Sequence, residues 1–334
     1  MSITRLLRGV LPMILALTCL LTGCTIGDTD YVLDANYVGR NDVLEINGEA
    51  ITKEEALLYL CNYQNLYGEE YGLDLWQAGL NTSDLTLEEY IKEITLLQIS
   101  DITCMSQLAT QMGVTLTQAE EETLSVVAKE YYRTLTQEEL SYIGIDEKTV
   151  LASYRKYALA NKLYLQLTSG INEEVSLDEA RVLRLQVIYV SSKGTANEIL
   201  AKLEAGKSFI TLANSYNEGE EVEMIVARGD LSATLESAVY ALDEGERTDA
   251  IATESGYYFF LCVSKNETEL TERNKELILQ RRKEEQFKKV FQSFIETSEF
   301  QMNQKLWNEI TPNSSSNITT RSFFEIYDNY FTGD

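Results

Sequence analysis

Residues 182–190, Val182-Leu183-Arg184-Leu185-Gln186-Val187-Ile188-Tyr189-Val190, decide the architecture. The run is rich in β-branched and aromatic residues and reads as a strand. It stands just after Gly170, where the pattern of the chain changes. Downstream, 195–204 reads as a helix closed by Gly206, and 208–215 as a second helix. Short strands are expected at 223–227, 248–252 and 257–263, with a helix at 236–242 between them. Together these make a compact α+β unit of about 85 residues, a size at which a domain folds alone.

Outward from that unit the chain is mostly helical. Residues 43–51, Val43-Leu44-Glu45-Ile46-Asn47-Gly48-Glu49-Ala50-Ile51, alternate apolar and polar and turn at Asn47-Gly48, which predicts a strand and a tight turn. Thr52-Lys53-Glu54-Glu55 fits a capping box, in which Thr and the Glu three residues on satisfy each other's backbone N–H, and opens a helix to about Tyr67. The same signature recurs at Thr86-Leu87-Glu88-Glu89, whose helix ends near Gly113, at Thr117-Gln118-Ala119-Glu120, and at Thr136-Gln137-Glu138-Glu139. Asp146 opens a helix to about Thr168, with Val150, Tyr154, Tyr157, Ala158 and Leu165 at helical spacing. After the α+β unit, Thr271 to about Thr297 reads as a long charged helix, Phe300–Met302 as a strand and Gln304–Ile310 as a last helix. Pro312 and the Asn/Ser run to Asn317 end that body. The stretch Phe323–Phe331 holds five aromatics and the sequence assigns it no docking place.

Composition excludes whole classes of function. The 334 residues include 28 Lys+Arg, 53 Asp+Glu and no His. Without imidazole there is no Ser-His-Asp triad, no Cys-His pair and no His metal ligand. A net charge of −25 argues against nucleic-acid binding, because phosphate affinity comes from Lys and Arg. Cys61, Cys104 and Cys262 show no CxxC spacing, so neither a zinc site nor a disulfide framework is expected; they read as buried thiols acting as small hydrophobes. The acidic run Glu218–Glu223 lacks the D-x-D-x-D-G calcium pattern and reads as a solvated loop. No P-loop is present, and no metal or cofactor is implied. The 20 tyrosines read mainly as core, with some available to line a binding groove.

The first residues read as an export signal. Arg5 and Arg8 precede Val10–Leu21, which is apolar apart from Pro12 and Thr18 and shorter than the roughly 20 residues a spanning helix needs. Leu21-Thr22-Gly23-Cys24 matches the lipobox of bacterial lipoproteins. The match implies cleavage before Cys24, a thioether-linked lipid on Cys24, and attachment to the membrane through its acyl chains. Loss of residues 1–23 removes two Arg and no acid, which deepens the negative excess by two.

Two segments together resemble the PrsA/SurA-type extracytoplasmic foldases. The strand, Asn-Gly-Glu turn and Ile51-Thr52-x-x-Glu55 helix start look like the N-terminal chaperone region of that family. Residues 183–263 resemble a parvulin-type peptidyl-prolyl isomerase domain. The matching parts, in order, are strand 183–190; Leu203-Glu204-Ala205-Gly206-Lys207-Ser208-Phe209; Leu212-Ala213-Asn214-Ser215-Tyr216; Arg228-Gly229-Asp230-Leu231; Glu236-x-Ala238-x-Tyr240-x-Leu242; Gly245-Glu246; and Thr253-Glu254-Ser255-Gly256-Tyr257-Tyr258. The resemblance implies an α+β fold: a mostly helical chaperone domain with a small parvulin-like domain inserted in it. Its parts would be a signal peptide at 1–23, a tether at 24–41, N-terminal helices at 42–175, the parvulin-like domain at 176–267, completing helices at 268–311 and a tail at 312–334.

Parvulins place one His in the first strand and one in the last, facing each other beneath the substrate prolyl bond. Here Gln186 and Tyr258 align with those positions, so the isomerase site is expected to be degenerate. The groove residues carried over are Gln186, Arg228, Asp230, Leu231, Leu235, Ser255 and Tyr258. Gln186 and Tyr258 are read as able to hydrogen-bond in place of the two imidazoles, and Arg228 as able to hold a substrate carbonyl or acid. The implied function is an ATP-independent, lipid-anchored foldase or holdase that binds unfolded exported polypeptides. The alternatives are an active His-free prolyl isomerase and a scaffold lipoprotein without chaperone activity.

Overall fold

The computed structural model describes residues 41–71, 86–311 and 317–331. The expected signal segment, Cys24 and the tether up to residue 40 lie outside the described residues. In chain order the elements are β1 (Asp42–Ile46), β2 (Glu49–Thr52), α1 (Lys53–Tyr71), α2 (Leu87–Gln111), α3 (Gln118–Thr134), α4 (Gln137–Ile143) and α5 (Glu147–Thr168). Then come α6 (Leu177–Ala180), β3 (Leu183–Val190), α7 (Lys193–Glu204), α8 (Phe209–Tyr216), β4 (Glu223–Val226), α9 (Ala233–Tyr240), β5 (Ile251–Ala252) and β6 (Tyr257–Ser264). The chain closes with α10 (Thr268–Ile295), β7 (Phe300–Met302), α11 (Gln304–Glu309) and α12 (Phe323–Phe331). Two compact units result, one from residues up to Gly170 together with those from Glu284, the other from Ile171–Lys283. Among the described residues no helix is long and apolar enough to cross a membrane.

The larger unit is an α+β body dominated by helices. Its three-stranded sheet runs β2-β1-β7, both pairings antiparallel. Asn47 and Gly48 both take positive φ (50° and 81°), as a two-residue hairpin turn with the twist of its strands requires. Three capping boxes form as their sequences predict, at Thr86/Glu89, Thr117/Glu120 and Thr136/Glu139. The fourth is half made. Thr52 Oγ1 accepts from Glu55 N at 3.2 Å, but the Glu55 carboxylate turns away to accept from Lys156 Nζ at 3.0 Å. A buried acid takes a cation over a neutral backbone N–H because its desolvation needs the stronger partner.

The stretch the sequence leaves unplaced, α12, is part of this core. Phe323 is fully buried among Tyr59, Tyr131 and Tyr154, stacked on Tyr154 at 4.1 Å with planes 4° apart. Six tyrosines of this unit are spent here: Tyr59, Tyr63, Tyr131, Tyr154, Tyr157 and Tyr327 are all buried. Glu139 is the polar anchor. One oxygen accepts from Thr136 N within its capping box, and the other accepts from Thr319 N and Thr320 N, each at 2.8 Å. Burial pushes this carboxyl up, and the N–H donors of Thr136, Thr319 and Thr320 outweigh it and hold it below the usual carboxylate range.

The smaller unit is a two-faced sheet. Four antiparallel strands run β4-β3-β6-β5. Ile188, Val190 and Phe259 face α7 and α8, packing on Ile199, Leu203, Phe209 and Leu212. Leu185, Val187, Phe260 and Cys262 face α9, packing on Leu235, Val239 and Tyr240. The strand expected at 248–252 shrinks to β5. Thr248 still donates its N–H to Phe260 O and accepts from Phe260 N through Oγ1, so a side chain replaces one rung of the ladder there. Cys61, Cys104 and Cys262 are buried free thiols.

Candidate functional site: an aromatic face on the smaller unit

Strand parity builds the site. Side chains alternate between faces along a strand, so a one-residue offset moves a residue to the other side of the sheet. Tyr258 in β6 lies directly across from Tyr189 in β3, and Phe260 across from Val187. These four share the α9 side. The Tyr258 ring stands 4.8 Å from that of Tyr189, tilted by 39°, and 5.9 Å from that of Phe260, stacked. Leu231, Met224 and Ile251 pack around them, with Leu235 buried beneath. The result is a half-exposed surface of two phenols edged by Leu231, Met224 and Ile251, with Val187 and Phe260 buried beneath it.

Gln186 does not belong to it. It pairs with Leu261, its side chain emerges on the opposite face, and its amide reaches Glu223 Oε1 at 3.5 Å. The expected Gln186–Tyr258 hydrogen bond is therefore ruled out by register. The residue of β3 directly across from Tyr258 is Tyr189, and Val187 is its diagonal neighbour on the same face.

The polar residues carried over by resemblance are committed to structure. Arg228 Nη2 donates to Asp178 at 2.7 Å, Nη1 to Glu236 at 3.3 Å, and the guanidinium lies 3.7 Å over the Tyr240 ring. It is not free to hold a substrate carbonyl; Arg is favoured here because its planar group stacks and forks at once. Asp230 accepts from Ala227 N at 2.7 Å and closes the turn in which Gly229 has φ 92°. Glu236 accepts from Gly229 N at 2.7 Å and completes that turn. Ser255 shares a hydrogen bond with Thr253 and gives its carbonyl to Tyr189 Oη at 2.6 Å. So Leu231, Leu235 and Tyr258 come together, while Gln186, Arg228, Asp230 and Ser255 do not point chemistry at them. Tyr189, Val187 and Phe260 are the residues that sequence reading missed.

Gly256 sets the approach of β6 to β3. A Cβ built on it would lie 2.5 Å from Val190 O and 2.8 Å from Tyr189 Cε2. Gly256→Ala is expected to push the strand ends apart, displace the Tyr189 ring and cost about 2 kcal/mol or more. Urea unfolding followed by far-UV circular dichroism checks the cost; a wild-type midpoint would mean that the approach relaxes freely.

No protein-family model matches the chain. In sequence, part of the chain is similar to PrsA foldases. It is 27% identical over 135 residues to foldase protein PrsA 3 of Bacillus cereus, covering 38% of this chain and 47% of that one. It is 33% identical over 119 residues to foldase protein PrsA of Pediococcus pentosaceus, covering 33% and 40%. The matched segments thus span less than half of each relative's length. A crystal structure of PrsA from Bacillus cereus aligns over 85% of this chain and 97% of its own, at 16% identity and a TM-score of 0.37, too loose to carry an argument.

Proposed function

We propose that this protein is an extracytoplasmic foldase or holdase that binds unfolded exported polypeptides, anchored to the membrane by a lipid on Cys24, with an isomerase site that has lost its catalytic groups. The observation that carries this reading is the half-exposed Tyr189–Tyr258 face over the buried Phe260 ring, while Arg228, Asp230 and Glu236 are tied into a turn and ion pairs. Such a face binds: tyrosine offers large contact area with one polar tip, at low entropic cost. Kinship with PrsA foldases supports a polypeptide as the ligand. The Leu21-Thr22-Gly23-Cys24 motif supports the anchor and the location.

Catalysis of prolyl isomerisation requires favouring a twisted amide across a barrier of about 18–20 kcal/mol. An alkyl-and-phenol surface offers a proline ring apolar contact but no oriented donor beyond one phenol. Two assays on the same preparation test the proposal. Aggregation of a reduced, unfolded protein is expected to be suppressed at near-stoichiometric ratio, and a proline-containing peptide is expected to isomerise at its uncatalysed rate. A rate gain abolished by Tyr258→Ala would establish the active isomerase instead. Absence of suppression at excess protein would leave the scaffold reading.

A further inference from the structure

The turn that joins β1 to β2 is Asn47-Gly48, the one Asn-Gly pair in the sequence. Both residues are exposed, and a Cβ built on Gly48 would meet nothing within 4 Å. Such a pair carries latent chemistry. The Gly48 nitrogen can attack Asn47 Cγ, because no side chain on Gly48 hinders the approach. The new N–Cγ bond closes a cyclic imide. The Cγ–Nδ2 bond breaks, and Nδ2 leaves as ammonia with the proton that the Gly48 nitrogen loses. Water then opens the imide: its oxygen bonds to one carbonyl carbon, that carbon's bond to nitrogen breaks, and the nitrogen takes back a proton. Opening at the main-chain carbonyl leaves an iso-aspartyl link, in which the chain runs through Cβ and Cγ. Opening at Cγ leaves an ordinary aspartate.

In the folded chain the Asn47 amide is tied down although water reaches it. Nδ2 donates to Gln107 Oε1 at 2.9 Å and to Ser298 Oγ at 3.2 Å, and Oδ1 accepts from Glu299 N at 2.8 Å. Gln107 is itself fixed, its Nε2 donating to Ile46 O and to Glu49 Oε2. The main chain adds one more tie, from Asn47 N to Glu299 O at 2.9 Å. The side chain thus bonds α2 on one side and the α10–β7 link on the other. Swinging Cγ onto the Gly48 nitrogen breaks these bonds together. We infer that Asn47 is a spontaneous modification site that the fold keeps closed and unfolding opens, so that deamidation marks the molecules that have unfolded. The mark also bars their return. An aspartate at 47 has no N–H for Gln107 Oε1 and Ser298 Oγ, and it sets a second carboxylate beside Gln107, which already serves Glu49. An iso-aspartyl link adds a main-chain carbon to a two-residue turn whose length sets the β1–β2 register. Unfolding of the larger unit then becomes irreversible through a chemical step. This chemistry is independent of the foldase reading above.

The full chain is held at one mildly alkaline pH and one temperature, folded in buffer and unfolded in guanidinium chloride, and the fragment carrying Asn47-Gly48 is followed by mass spectrometry. Deamidation is expected to be at least about tenfold slower in the folded chain, because it must pass through a minor open state. Equal rates would overturn the proposal. In buffer, a Gln107→Ala/Ser298→Ala chain with unaltered circular dichroism should deamidate at least about threefold faster than wild type, because Nδ2 has lost both acceptors. An unchanged rate there would overturn it as well. If the double variant does not fold, Ser298→Ala alone takes its place, with the same two outcomes. After long incubation in denaturant followed by dilution, chains with iso-aspartate at 47 should be enriched at least about threefold in the aggregated fraction over the soluble one. Equal shares in the two fractions would overturn the barrier to return.

Discussion

Phe323→Ala is expected to lower the stability of the larger unit by about 3–5 kcal/mol, the range for a fully buried phenylalanine cut back to alanine. The ring lies between Tyr59, Tyr131, Tyr154 and Phe324, with the Tyr154 stack at 4.1 Å. Truncation removes the burial of the ring and the edge-to-face contacts, and leaves a void walled by three buried phenols. The neighbours cannot close it cheaply. Tyr131 is held by Asn62 and Thr320, and Tyr154 by the Phe323 carbonyl, so collapse would break hydrogen bonds at buried groups. No tryptophan falls within Ile171–Lys283, and Trp307 is buried in the larger unit, so tryptophan fluorescence during urea unfolding does not report the smaller unit. A large fall in midpoint is expected there. The circular-dichroism transition of the smaller unit should stay in place. An unmoved tryptophan transition would show that the segment contributes nothing to the body of the protein.

Lys156→Met should cost a similar amount, about 3–5 kcal/mol at neutral pH, because it strands a buried charge. Lys156 Nζ sits 3.0 Å from both Glu55 and Glu49, and Glu55 is only 7% exposed. Burial raises the Glu55 carboxyl above the usual range, and the charge and hydrogen bond of Lys156 hold that rise down. Burial alone would lower the Lys156 ammonium, but Glu55 and Glu49 outweigh it and raise it. Remove the cation and only the raising influences on Glu55 remain, burial and the Glu49 charge. The sign then follows. A carboxyl whose folded pKa lies above its unfolded value binds more protons when folded, so stability falls as pH rises between the two values. The deficit of the variant should therefore be full above its raised folded pKa and shrink as pH falls toward the unfolded carboxylate pKa. Glu55→Gln in the same chain should recover most of the neutral-pH loss. A deficit independent of pH would assign the effect to lost packing of the lysine stem instead.

The sequence spoke clearly where a local rule decides and poorly where a partner distant in sequence does. Thr86, Thr117, Thr136 and Asp146 announce their helices because capping is settled within four residues. Asn47-Gly48 announces its hairpin for the same reason. Thr52 fits the same local pattern, yet its Glu55 answers to Lys156, 101 positions away. Segment 323–331 shows its aromatic content but not its groove, whose walls come from residues 59–65, 131, 139 and 154. The candidate site follows the same division. Val187, Tyr189, Tyr258 and Phe260 each fall in a legible strand, but which residue of β3 faces which of β6 is fixed by register. Gln186 is one residue from Val187, and that offset puts it on the face opposite Val187, Tyr189 and Tyr258. Arg228 and Asp230 were legible as a turn motif; that the turn consumes them depends on Asp178 and Glu236, which no short pattern joins.

Binding itself is measured directly by titrating the full chain into a labelled, permanently unfolded polypeptide, such as a reduced and carboxymethylated protein, and following anisotropy. Saturable binding by wild type is expected. A Tyr189→Ser/Tyr258→Ser chain with unaltered circular dichroism should bind at least about tenfold more weakly, since two aromatic contacts of roughly 1 kcal/mol each are lost. Equal affinity of the two chains, or no binding by wild type at any concentration, would contradict the assignment of the aromatic face as a polypeptide-binding surface.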